Sequence, residues 1–126
     1  MAAHDGGVDD VAVPAGWPTQ VRPPGHARHV RTTVGWLLEH CPHEYRAHRA
    51  LWSSPPLLAW LARLHVEAQQ RANVEARAAA RAQLHDVLDP RAVDGLLHVL
   101  DAEQARLIGV HRAVQLVAAT LETPPT

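Results

Sequence analysis

From Leu57 to Asp89 the chain contains neither Gly nor Pro, and after Asp89-Pro90 a second long periodic stretch continues to Leu121. In that second stretch Leu96, Leu100, Glu103, Leu107, Val110, Val114, Val117 and Leu121 recur at the alternating spacing of a coiled-coil seam. An overlapping stripe, Val93, Leu97, Leu100, Gln104, Leu107, His111, Val114 and Ala118, broadens the apolar face. Ser54-Pro55 and Asp89-Pro90 each place a capping residue directly before a proline, which favours the first position of a helix. The pattern therefore predicts long helices over 55–88 and 90–121. The turn between them is too short for anything but antiparallel neighbours, so Leu57, Trp60, Leu61 and Leu64 should meet Val114, Val117 and Leu121.

Upstream, Val30, Val34, Leu37, Leu38 and Cys41 recur at helical spacing and predict a helix over 29–40. Pro42 ends it, because the residue before a proline is pushed out of the helical region, and the same proline can open a second short helix over 42–52. Trp36, Tyr45 and Trp52 would then close over one end of the long pair. Residues 1–25 are rich in Gly, Pro, Asp and Ala and read as a flexible arm, leaving 26–126 as a single all-helical domain. Trp17 is the one sticky residue of that arm. It is either a partly exposed ring in a tail or an anchor that docks on the helices or a partner. The expected fold is thus all-α: two short N-terminal helices packed on a long antiparallel hairpin, which assembles into a dimeric helical bundle.

Composition agrees with helix packing. With no Phe and one Tyr, a core must be built from Leu, Val, Ala and the four Trp. Every basic residue is Arg, and the bias towards Arg, Ala, Pro, Val and His has the stamp of a GC-rich genome, which lowers the weight of any single Arg or His. The net charge of −1 excludes a globally basic nucleic-acid binder. Arg22, Arg28 and Arg31, with His26 and His29, form a local basic arm, but without a recognition helix a nucleic-acid partner is not expected. No apolar run approaches the ~20 residues of a membrane span, and Met1 to Asp10 lacks the pattern of a signal peptide. A cytoplasmic protein without membrane contact is the expectation, and a lone Cys41 fits a reducing compartment.

Ligand-type residues are densest around Pro42, where Glu39, His40, Cys41, His43, Glu44 and His48 crowd together. A thiol and imidazoles at such spacing can supply part of a zinc site, making Cys41, His40, His43 and His48 the metal candidates; a buried, inert thiol on the apolar stripe is the competing reading. His65 and His111 fall at nearby levels of the antiparallel pair. The Arg63, Glu67, Arg71, Glu75 alternation reads as a solvated stripe of ion pairs four residues apart. There is no Glu-x-x-His, Gly-rich phosphate loop, Gly-x-Ser-x-Gly or His-Glu-x-x-His, so no catalytic residues are assigned and no cofactor is expected, with zinc the alternative. Glu103 interrupts the seam and is a candidate register residue, with Arg77 or Arg81 opposite it. The apolar surplus of the last helix exceeds what one neighbour covers. The functional expectation is a non-enzymatic interaction or adaptor module. It would self-associate as a homodimer, or bind a hetero-partner, through Leu100, Leu107, Val110, Val114 and Val117. The alternative is a small metal-binding or thiol-based sensor built on Cys41.

Overall fold

The computed structural model describes residues 12–122. Among them the regular elements are α1 (His29–Glu39), a 3-10 turn (His43–Ala47), α2 (Arg49–Trp52), α3 (Pro55–Leu84) and α4 (Pro90–Glu122), with no strand. The two long helices form the antiparallel hairpin, and α1 packs against α3. The start of α4 is built as its sequence requires: Asp89 Oδ1 accepts the Ala92 N–H at 2.8 Å, with Pro90 at the first helical position. At the start of α3, Pro55 occupies the first position, but the Ser54 side chain makes no capping bond.

The region between Pro42 and Trp52 is not one helix. Pro42 stays extended (φ −54°, ψ 141°), and His48 (φ −108°, ψ 99°) separates the 3-10 turn from the single turn of α2. A continuous helix here would carry few large apolar side chains, whereas the observed path lets Tyr45 hydrogen-bond His65 on α3 at 3.0 Å. Tyr45 and Trp36 pack at the core, but Trp52 stays exposed and lies against Arg49, so the aromatic closure is partial. Helix α3 also ends four residues earlier than its lack of breakers implies, giving way to turns over 85–88.

The larger correction concerns the arm. Over 12–25 it is a strap folded onto the helices; residues 1–11 of the expected arm lie outside the described residues. Three tight turns shape it, Pro14–Trp17, Pro18–Val21 and Pro23–His26, and the first and last place Gly16 (φ 93°) and Gly25 (φ 92°) at the third position that requires positive φ. Trp17 Nε1 donates to the Val21 carbonyl at 2.8 Å, and its ring stacks on His29. The Arg22 N–H donates to Thr32 Oγ1 at 3.0 Å, while His29 Nδ1 donates to the Arg22 carbonyl at 2.7 Å. Gly16 lies against Arg112 and Leu116 of α4, so a β-carbon there would crowd the Arg112 stem at 3.1 Å. Trp17 is therefore an anchor on the protein's own body. Composition suggested a tail because Gly and Pro signal turns and disorder alike.

Leu37, Leu58, Ala62, Val66, Leu107, Val114 and Val117 form the centre of the core, joined by Val21 from the strap and Trp36 from α1. The phase of α3 differs from the expected one. Leu58, Ala59, Ala62 and Val66 face inward, and Leu57, Trp60 and Leu64 face solvent. Small Ala59 and Ala62 let neighbouring helices approach, and bulk comes from Trp36, Leu37 and Leu107 across the gap.

Candidate interaction surface

Polar side chains mark successive levels of the hairpin. Near the turn Arg81 pairs with Asp94 at 2.8 Å, and one helical turn further Arg77 pairs with Asp101, holding that carboxyl below its usual range. Next comes Asn73, only 7% exposed, whose Nδ2 donates to the Leu100 carbonyl at 3.0 Å and to Gln104 Oε1 at 2.9 Å. Beyond it His111 Nε2 lies 2.9 Å from Glu67 Oε2; a carboxylate only accepts, so Nε2 carries the proton. That bond, with Arg63 assisting at 3.2 Å, holds the pKa of Glu67 below the ordinary carboxylate value.

Glu103 does not cross the hairpin. It is bound by Arg106 of its own helix at 2.7 and 2.8 Å, while Arg77 and Arg81 serve Asp101 and Asp94. The polar residue inside the seam is Asn73. Its position was legible as the one Asn of the chain, seven residues from both Val66 and Ala80, which are also buried. His65 and His111 do not meet; each has its own partner.

Of the residues expected at an intermolecular interface, Leu107, Val114 and Val117 are buried in the protein's own core, Val110 packs against that core, and Leu100 is half-buried beside Asn73. The apolar surplus of α4 is taken up by α1 and the strap, which share the core cluster with it.

Around Pro42 the ligand-type side chains diverge. The His40 ring lies edge-on to Trp36 at 4.8 Å, and burial lowers its basicity. His43 is exposed with Nδ1 3.5 Å from Arg46, and His48 is exposed at the break. Cys41 is half-buried, and burial pushes its thiol up to about 11. Among the described residues no three His, Cys, Asp or Glu side chains are arranged to hold a metal ion.

Among the described residues the outer face of α3 is left uncovered. Leu57, Leu61, Leu64, Ala68, Arg71, Glu75, Ala78 and Ala82 follow an alternating four–three spacing opposite the buried stripe. Leu57, Trp60 and Leu64 are 39%, 52% and 37% exposed, and Val74 flanks the same face. The sequence pattern predicts Leu57, Trp60, Leu61 and Leu64 against α4, because both stripes of α3 have coiled-coil periodicity and the outer one carries the larger side chains.

No helix is long and apolar enough to cross a membrane among the described residues. No family model, curated protein or solved structure matches the chain.

Proposed function

We propose that this protein is a non-enzymatic helical interaction module that self-associates through its long hairpin, using the outer face of α3. The observation that carries this reading is the row Leu57, Trp60, Leu64, with a Trp more than half exposed on a face left open among the described residues. Tryptophan in an apolar row is the residue type that most often anchors protein interfaces, and a soluble chain rarely leaves such a row in water. The non-enzymatic reading is supported by the polar groups of the seam, Asn73, Gln104, Glu67 and His111, which are engaged with one another across packed helices. A cytoplasmic location belongs to the same proposal and rests on the free thiol of Cys41.

Sedimentation or light scattering tests it. The full chain should be dimeric at about 100 μM, and Trp60→Ala should shift it towards monomer while leaving helical content intact. A wild-type chain that stays monomeric at that concentration refutes self-association.

A further inference from the structure

We infer that two copies pair antiparallel along the outer faces of α3, with Arg71 of each copy against Glu75 of the other. The inference rests on the self-association just proposed and assigns it a surface, an orientation and a register.

Charge decides the geometry. Within α3, Arg63 is paired with Glu67, Glu67 also with His111, Arg77 with Asp101 and Arg81 with Asp94. Arg71 and Glu75 alone among its charged residues have no side-chain partner among the described residues, although they sit one turn apart. Both occupy seam positions of the outer repeat, where a covering helix would desolvate them. Covering one unpaired charge is strongly unfavourable, so the covering surface must offer an acid opposite Arg71 and a base opposite Glu75. A second α3 running the other way offers both, because reversal exchanges the order of the two residues. A parallel copy would set Arg against Arg and Glu against Glu.

The same requirement selects the register. With Arg71 over Glu75 of the second copy, Ala68 lies over Ala78 and Leu64 over Ala82, placing small against small and large against small. Sliding by one heptad puts Arg71 over Ala68 and Glu75 over Leu64, or Arg71 over Ala82 and Glu75 over Ala78. Either slip strands all four charges of the dimer. In the selected register the two-fold axis passes at the level of residue 73, and Val74 of each copy, 55% exposed in the single chain, flanks it. The helices overlap over about 23 residues, or ~35 Å. Beyond the overlap, Leu57 and Trp60 reach the level of the other copy's hairpin turn, where Val87 and Leu88 are exposed. Apolar surface left bare at the two ends of α3 is thereby brought together, as a closed isologous contact requires.

The test uses full-length R71E and E75R proteins, alone and mixed, in sedimentation velocity. Both positions are exposed, so circular dichroism should show native helix content. Each single variant should dimerise about 100-fold more weakly than wild type, because two repulsive contacts replace two attractive ones. An equimolar mixture should recover the wild-type affinity as a heterodimer, and that recovery excludes misfolding as the cause. For orientation, A68C and A78C are made on a Cys41→Ser background. A disulfide should form between the two proteins on mixing and not within either alone. If wild type is dimeric while R71E and E75R dimerise equally well, or if A68C cross-links to itself, this pairing is wrong and self-association stands. If wild type is monomeric, both fall.

Discussion

Asn73→Asp changes the shape of a seam side chain very little but removes both of the hydrogen bonds it donates across the hairpin, to the Leu100 carbonyl and to Gln104 Oε1. Each neutral bond contributes about 1 kcal/mol net, so their loss alone costs about 2 kcal/mol. The introduced carboxylate then faces a carbonyl oxygen at a position 7% exposed, where desolvation of a charge adds a further penalty. Gln104 is only half-buried and can rotate its amide nitrogen towards the new carboxylate, which returns part of the loss. The net expectation is about 3 kcal/mol, or about 12 °C in melting temperature for a domain of this size. Asn73→Ala loses the same bonds but leaves Gln104 free to turn to water and gains a few tenths of a kcal/mol in helix propensity, so it should cost only about 1 kcal/mol. Thermal melts followed at 222 nm, at pH 7 and one fixed protein concentration, provide the comparison, since an associating chain melts in a concentration-dependent way. The ordering is the decisive result: an Asp variant melting with wild type would mean that Asn73 is not enclosed in the seam. Equal losses for Ala and Asp would mean that the bonds, not the buried charge, set the cost.

Three further outcomes follow from particular contacts. With its thiol raised from the usual 9.0 to about 11, Cys41 should be alkylated at pH 8 about 100-fold more slowly in the folded than in the unfolded chain; equal rates would refute its protected setting. Glu67 is held below its usual 4.5, so its contribution to stability is complete above that value and lost as pH falls through the lowered folded-state value. The melting temperature of wild type should therefore fall more steeply on acidification below about pH 4.5 than that of His111→Ala, and parallel curves would remove the role given to this bond. Deleting residues 1–25 should destabilise the helical body by about 3 kcal/mol, because Val21 is 3% exposed and Trp17 is docked; a truncated chain that melts like the full one would restore the view of a free arm.

The hairpin was legible because its signals are local. Asp89-Pro90 starts a helix whatever surrounds it, and the boundaries of α1 and α4 fall within a residue of the apolar pattern. The phase of α3 was not legible in that way. Its residues carry two stripes on opposite sides, one with Leu58, Ala62, Val66, Asn73 and Ala80, the other with Leu57, Leu61, Leu64 and Ala68. Ranking by hydrophobicity favours the second. Helix packing selected the first, because alanines permit the close approach of α1 and α4 and because on that side the Asn73 amide finds its acceptors, the Leu100 carbonyl and Gln104 Oε1. The side chains around Pro42 diverge for a related reason. Proximity along the chain says nothing about direction, and the extended backbone of Pro42 sends His40 towards Trp36 and His43 towards Arg46. The strap was hidden because turns and disorder share a composition, and only tertiary contact, Val21 in the core, separates them.

The polar residues of the hairpin say more about association than its hydrophobic ones do. Descending α3 from Arg81 through Arg77 and Asn73 to Glu67, the partners on α4 ascend from Asp94 through Asp101 and Gln104 to His111. Each step on one helix is answered by a step on the other, and every arginine and glutamate of α3 outside its outer face has a partner among the described residues. The outer side breaks the rule at Arg71 and Glu75 alone. Exposed ion pairs contribute little when isolated, and two unpaired surface charges are ordinary in a solvated helix. They cease to be ordinary when they occupy seam positions between Leu64 and Ala78 of an uncovered repeat, where they add nothing to the stability of the single chain. In that setting their order along the helix is a constraint on whatever covers it, and a reversed copy of the same helix satisfies the constraint with no further residue required.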